Sequence, residues 1–370
     1  TNPPYMGASG MGEKLSQFVK DKYSDSKSDL FACFIERCGG MSKANGYVAM
    51  ITQHAWMFLS SFENLRKKLL KKDIVNMAHL GARAFEEIGG EVVQTTSMVT
   101  TNSHIDGYKG IFVRLVEPTT QDDKEEMFLN GENRFATCQE NFAKIPGAPV
   151  AYWVSEAMFN AFINGTNFSG ETRKGVLTGD NERFIRFWYE VNKDKFSINT
   201  YSHTEMLSSK KKWFPITSGG NKRKWYGNLE DVVNLENDGY EIKTTVKNFR
   251  LREAKYYFMP AITWTEVSSG IFSCRYVPKG ILFGNGGPVS FFFNDDLLYY
   301  LGLLNSNVAM EILLCIAPTI NYGPEQIEKI PIHINRKEVV EDTVNRNVEL
   351  AKSDWDSFET SWDFERHPLV

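Results

Sequence analysis

Apolar positions along the chain change their spacing more than once. Gly7 to Gly12 reads as a loop and Glu13 to Lys22 as a short helix. Leu30, Phe34 and Ile35 then fall on one helical face, with Asp29 placed to cap a helix that runs through Cys38. Asn45-Gly46 is a turn and Tyr47 to Thr52 a buried strand; Phe62 to Leu70 follows as a basic amphipathic helix. Ile74 to Leu80, Val92 to Val99 and Ile111 to Leu115 read as strands. This alternation of helix and strand predicts an α/β fold, with residues 1–118 forming the second half of a doubly wound, Rossmann-like sheet. Residues 119–174 are mixed, with an acidic patch, a Pro-Gly stretch and a helix over Trp153 to Ile163, and read as a connector. From Gly175 the pattern shifts to short aromatic-rich strands, Arg183 to Tyr189 and Ile271 to Arg275 among them, with one helix over Leu297 to Leu314. Residues 175–335 therefore read as an irregular α/β module. Residues 336–370 form a charged helical tail, with Trp355, Phe358, Trp362 and Phe364 as its apolar stripe.

Composition adds compartment and partners. At 370 residues, 42% apolar and 24% charged, the chain is globular and long enough for two domains. No run approaches the ~18 apolar residues of a membrane span. Five scattered cysteines without a CxxC pair argue against a disulfide framework and a metal site, which fits a cytoplasmic protein. The net charge of −4 hides an uneven distribution. Lys210-Lys211-Lys212-Trp213 and Lys222-Arg223-Lys224-Trp225 lie close together, while acids crowd into Asp122 to Glu126 and Glu338 to Glu365. Basic residues with interleaved aromatics suit phosphate neutralisation and base stacking. The same composition suits a solvated loop.

The candidate chemistry sits at Asn2-Pro3-Pro4-Tyr5. The amide accepts a hydrogen bond from an exocyclic amine, the prolines fix an extended backbone, and the tyrosine offers a flat face. A base taken out of a duplex is held by such stacking and edge contacts. A proline-rich turn would use the same residues.

Further stretches carry a resemblance. They include Lys27 to Ala32, Phe34 to Arg37, Asn45 to His54 and Ala84-Phe85-Glu86. Leu177 to Phe184, Lys224 to Asn228, Pro318 to Gly323, Ile330-Pro331 and Asp354 to Trp362 complete the set, in order and across nearly the whole chain. The chain resembles the amino-methyltransferases that modify adenine in DNA, especially those of BREX-type phage defence and their restriction–modification relatives. Such proteins carry a glycine-containing donor loop before the tetrapeptide. Nothing precedes Thr1 here, and Gly39-Gly40, Gly89-Gly90 and Gly219-Gly220 lack the required flanks. The resemblance therefore implies the C-terminal part of a larger enzyme, inactive alone.

It also implies roles. Asn2 and the Pro3 carbonyl would accept from the adenine amino group and draw it towards a nucleophilic geometry; Pro4 would shape the turn and Tyr5 would stack on the base. Phe85 resembles the aromatic on the other face of the base, or is a core phenylalanine. Asn2, Asp29, Leu30 and Phe31 would lie beside S-adenosylmethionine, though Asp29 equally reads as a plain N-cap followed by two core residues. In the second module, the target-recognition domain, Asp180, Asn181, Arg183, Lys210, Lys211, Lys212, Arg223, Lys224, Trp225, Tyr226 and Asn228 would face double-stranded DNA. Asn321 and Tyr322 resemble a structural closing segment. His54 is read as structural or groove-lining, and Glu86 and Glu87 as solvated. The implied activity is site-specific adenine methylation that marks host DNA, with other defence subunits as possible partners. The alternatives are a single-chain restriction–modification enzyme with its nuclease upstream, a non-catalytic DNA-binding module, and a protein-interaction subunit.

Overall fold

Two backbone hydrogen bonds place the first residue beside a strand. The Thr1 nitrogen donates to the Ala49 carbonyl at 2.7 Å, and the Ile51 N–H donates to the Thr1 carbonyl at 3.0 Å. One residue bonded to both neighbours of its partner is a parallel pairing. The computed structural model describes residues 1–85, 93–268, 271–316 and 321–370, in two units, Thr1–Asn164 and Gly165–Val370.

The first unit contains α1 (Glu13–Lys22), α2 (Leu30–Met41), β1 (Tyr47–Gln53), α3 (Glu63–Leu69), β2 (Ile74–Gly81), β3 (Thr95–Thr101), β4 (Lys109–Arg114), α4 (Gln121–Leu129), β5 (Arg134–Cys138) and α5 (Glu156–Asn164). Its sheet has the order β1-β3-β2-β4-β5. β3 runs antiparallel to both β1 and β2, and β2 runs parallel to β4, so β1, β2 and β4 end on one edge. The α/β expectation for this part holds. The start expected for β3, Val92, lies outside the described residues.

Residues 119–164, expected as a connector, are instead built into this unit. β5 pairs with β4 from Lys109↔Cys138 to Val113↔Arg134. Phe112 explains why: its ring stacks on Tyr152 at 5.0 Å and meets Phe142 at 5.8 Å. All three are buried with Phe31, Ile35, Met50, Met77 and Met98 in one core. Without residues 119–164 the Phe112 face would meet water, and a buried aromatic of this size is worth roughly 1.5–3 kcal/mol.

The second unit contains β6 (Glu171–Arg173), α6 (Asn181–Phe184), β7 (Ile185–Phe187), α7 (His203–Ser209), β8 (Trp213–Thr217), β9 (Asp231–Asn234), α8 (Glu236–Thr245), β10 (Ala261–Trp264), β11 (Cys274–Val277), β12 (Leu282–Phe283), β13 (Val289–Phe291), α9 (Leu297–Leu304), α10 (Asn307–Ile316), α11 (Pro324–Ile327) and α12 (Lys337–Trp355). Two four-stranded sheets, β11-β10-β13-β6 and β12-β8-β9-β7, enclose its core.

Three expectations are corrected here. The strand expected over Arg183 to Tyr189 begins as α6, because the Asp180 carboxylate accepts from the Arg183 N–H at 3.2 Å and starts a helical turn. The strand expected from Ile271 starts at Cys274. The single helix expected over Leu297 to Leu314 is two helices bent by 72°. Asn305 makes the break: its side chain accepts from the Cys274 N–H at 3.1 Å and donates to the Cys274 carbonyl at 3.0 Å. No single helix among the described residues is long and apolar enough to cross a membrane, although α9 and α10 together have that composition. The tail is helical only to Trp355; Trp355 and Trp362 pack on the core, while Phe358 is exposed.

Arg66 on α3 is buried, and burial lowers its guanidinium to about 10. It donates to the carbonyls of Trp56 at 2.8 Å, Leu59 at 2.7 Å and Gly147 at 2.8 Å. Arg66→Ala strands three carbonyls and leaves a void. Chemical denaturation should show a loss of roughly 3 kcal/mol or more; a loss below about 1 kcal/mol would mean that water replaces the guanidinium.

Candidate active site

Because Thr1 runs parallel to β1, Asn2-Pro3-Pro4-Tyr5 leaves the sheet at the edge where β1, β2 and β4 end. Ligands of open α/β sheets bind at such carboxyl ends. Asn2 and Pro4 are exposed, Pro3 is buried and Tyr5 is half-buried. The Asn2 amide makes no hydrogen bond to the described residues, so its carbonyl is free to accept. Beyond Tyr5 the chain is tied down again. The Met6 N–H donates to Asp29 Oδ1 at 3.0 Å, the Leu30 N–H to the Met6 carbonyl at 3.0 Å, and the Ala8 N–H to the Ser28 carbonyl at 3.0 Å.

Asp29 also caps α2, accepting from the Phe31 N–H at 3.3 Å. Burial pushes its carboxyl above the ordinary range, against those two amide donors. Phe31 is fully buried and meets the Tyr5 ring edge-on at 6.1 Å, so it supports Tyr5 from the core. Leu30 is half-buried against Met11, Val19 and Cys33. The Tyr5 hydroxyl is buried with no partner among the described residues, and burial raises its phenol.

The exit of β2 reaches the same edge. Lys124 of α4 is buried and donates to the Leu80 carbonyl at 2.7 Å and the Leu115 carbonyl at 2.6 Å. Gln121 donates to the Ala84 carbonyl at 3.1 Å, just before the half-buried Phe85. Glu86 and Glu87 lie outside the described residues. His54, directly after β1, approaches His79 Nε2 at 2.8 Å through Nδ1, and His79 Nδ1 lies 3.1 Å from the Tyr152 hydroxyl.

In the second unit most of the expected DNA-facing side chains have internal partners. Arg183 pairs with Glu241 at 2.6 Å, and Arg223 pairs with Asp354 at 3.0 Å while lying over Trp355. Lys211 donates to the Asp194 carbonyl at 2.6 Å and Lys224 to the Asn305 carbonyl at 2.7 Å; Lys212 stands 3.7 Å from Glu236. Trp225, at a φ of 72°, bonds through its backbone to Cys274 and Tyr276. Tyr226 is buried in the core, and Asn228 donates to the Gly219 and Asn221 carbonyls. Asp180 and Asn181 are exposed beside Thr178, which donates to the Asn181 side chain at 2.6 Å. Lys210 is exposed. Tyr322 is buried, its carbonyl accepting from the Trp264 indole at 2.6 Å, while the Pro318 to Ile320 part of that segment lies outside the described residues.

Residues 1–85 match the family model of the Eco57I restriction-modification methylase. The whole chain is 42% identical to a stretch of the adenine-specific methyltransferase PglX of Lacticaseibacillus casei (strain Zhang), covering 32% of that protein. It is 43% identical to a stretch of the adenine-specific methyltransferase BrxX of Escherichia coli O9:H4 (strain HS), covering 30% of it. Over its whole length the chain is similar to these two adenine-specific methyltransferases. It spans about a third of the length of these two methyltransferases. Its fold is also that of the Type IIL restriction-modification enzyme MmeI, solved in complex with DNA, with a TM-score of 0.61 at 14% identity, covering all of this chain and 51% of that one.

The methyltransferase resemblance does not assign the His54–His79 pair or Lys124. Two signals were available in the sequence: His79 stands at a core position of an alternating strand, and Lys124 is a single cation within an acidic helix. Burial pushes His54 down to about 4, and burial, aided by the charges of His54, Arg114 and Lys124, pushes His79 well below its ordinary value. Both are neutral in the folded state at neutral pH, whereas the unfolded chain takes up protons near pH 6.5. Folded pKa values below the unfolded one make the pair's contribution complete above about pH 6.5 and progressively lost as pH falls towards about 4. Unfolding measured between about pH 7 and 5 should show this loss reduced in a His79→Gln variant. An equal loss in both proteins would assign the acid sensitivity elsewhere.

Proposed function

We propose that this chain forms the catalytic-motif and target-recognition portion of an enzyme that methylates the exocyclic amino nitrogen of an adenine flipped out of duplex DNA, marking host DNA in a cytoplasmic phage-defence system. The supporting observation is the exit of Asn2-Pro3-Pro4-Tyr5 at the carboxyl edge of the sheet, tethered at Thr1 and again at Met6. The Asn2 side-chain carbonyl and the Pro3 carbonyl accept from the adenine amino group, Tyr5 stacks on one face of the base, and Phe85 closes the other. Positioning carries the rate, since little proton transfer is required before methyl transfer.

The residues present suit the methyl donor S-adenosylmethionine: the Tyr5 hydroxyl is an orphaned buried polar atom, Asp29 holds Met6 directly after the tetrapeptide, and Phe31 stands behind Tyr5. Asn2, Asp29, Leu30 and Phe31 are the residues that would hold that group. When bound, that group supplies an electrophilic methyl. Asn181 and Lys210, both exposed, are the candidates from the expected set for direct DNA contact. Assembly with other defence subunits is part of the same reading.

In the full-length enzyme, Asn2→Ala should abolish adenine methylation, measured as tritium transfer to duplex DNA, and leave DNA affinity within a few-fold, because the clamp acts on the flipped base rather than the duplex. Methylation at a near wild-type rate would remove Asn2 from the site.

A further inference from the structure

The second unit holds a concavity of about 630 Å³ whose wall is dominated by Arg173, Lys174, Arg250 and Arg252. None of the four arises from the basic run at Lys210 to Trp225. β6, an edge strand of its sheet, supplies Arg173. The other side is brought in by a two-way backbone pairing, with the Leu177 N–H donating to the Arg250 carbonyl at 2.9 Å and the Arg250 N–H to the Leu177 carbonyl at 2.8 Å.

The carboxylates nearby fall unevenly on these cations. Arg173 bonds to Glu171 at 3.0 Å and reaches Glu253 at 3.4 Å, while Lys174 pairs with Glu266. Arg250 and Arg252 are exposed and have no carboxylate partner among the described residues. They also disfavour each other: burial, and then the Arg250 charge, lowers the Arg252 guanidinium. Arg252 is held there regardless, at a φ of 69°, by donation from its Nε to the Gly175 carbonyl at 2.9 Å. Two guanidinium groups held side by side without a carboxylate repel each other, and an anion between them would relieve that repulsion. One Arg173 donor, Nε, is buried without a partner among the described residues, and its guanidinium lies 4.4 Å from the centre of the Tyr256 ring.

We propose that this concavity seats a phosphodiester of duplex DNA, with Arg250 and Arg252 donating to its non-bridging oxygens. This rests on the reading that the enzyme acts on DNA. Two guanidinium forks match phosphate oxygens, and the volume exceeds what a lone phosphate would fill. The Leu177 pairing also sets Arg250 three residues from Asp180 and next to the exposed loop expected to meet DNA. A phosphate contact there fixes the register of the duplex while leaving sequence to other groups.

The test uses the full-length enzyme carrying Arg250→Gln or, separately, Lys174→Gln, each checked to melt as the wild type does. Binding is titrated with salt on cognate and random duplexes, with inorganic phosphate and polyglutamate as competitors at matched ionic strength. The expected result for Arg250→Gln is equal weakening on both duplexes and a salt slope smaller by about 0.9, the share of one phosphate that is no longer neutralised. Lys174→Gln should move both readouts in the same direction. An unchanged slope in both variants overturns the proposal, as does a loss confined to the cognate duplex. Inorganic phosphate that binds the wild type but not Arg250→Gln, with DNA affinity and salt slope the same in both proteins, would make this a free-phosphate site, and the same pattern with polyglutamate an acidic-protein site; either overturns it. A wild-type enzyme that binds no duplex defeats the reading of function beneath it, a result distinct from all of these.

Discussion

The two hydrogen bonds between Thr1 and β1 constrain everything at the candidate site. They align the first residue with a strand, and the next residues cannot continue that alignment. Pro3 and Pro4 have no N–H to give to a ladder, so the chain departs from the sheet at once and does so at its carboxyl edge. Met6 is then recaptured by Asp29, which also starts α2. A short segment held at both ends loses little further freedom when a ligand arrives. The exposure of Asn2 is therefore a result of backbone pairing on either side of it rather than of local flexibility.

On the opposite side of that edge, the work falls to a helix that looks unrelated to it. α4 is acidic and mostly exposed, yet its Lys124 and Gln121 reach the backbone at the exits of β2 and β4. A cation that satisfies two carbonyls in the interior is anchored more firmly than one paired with a surface carboxylate. The segment leading to Phe85 is thus positioned by residues that follow it by some forty places in the chain.

This division explains what was legible in the sequence. The helices over residues 13–22 and 30–41 and the strands from Tyr47 to Arg114 follow from periodicity, since each shows one face to a core. Residues 119–164 were opaque because the exposed positions of β5 are small or polar, and because Phe142 and Tyr152, which cover Phe112, stand far along the chain from it. The break between α9 and α10 was hidden by composition, because Asn305 acts through a strand that no local pattern connects to it. Charge was the least legible property. Arg223 and Lys224 read as available cations, but their partners, Asp354 and the Asn305 carbonyl, are supplied from 131 and 81 residues away. Arg250 and Arg252 stand out only once the carboxylates have been assigned to their neighbours.

Asn305 also bears on how the protein behaves when crowded with copies of itself. β11 is the outer strand of its sheet, and an outer strand exposes backbone groups on which another chain can add a strand. At Cys274 those groups are taken by a side-chain amide that presents a donor and an acceptor together, as a neighbouring strand would, and the backbone of Trp225 bonds to Cys274 and Tyr276 beside it. The border of the sheet is closed by an imitation of the strand it lacks, and at that point a second molecule finds no template for aggregation.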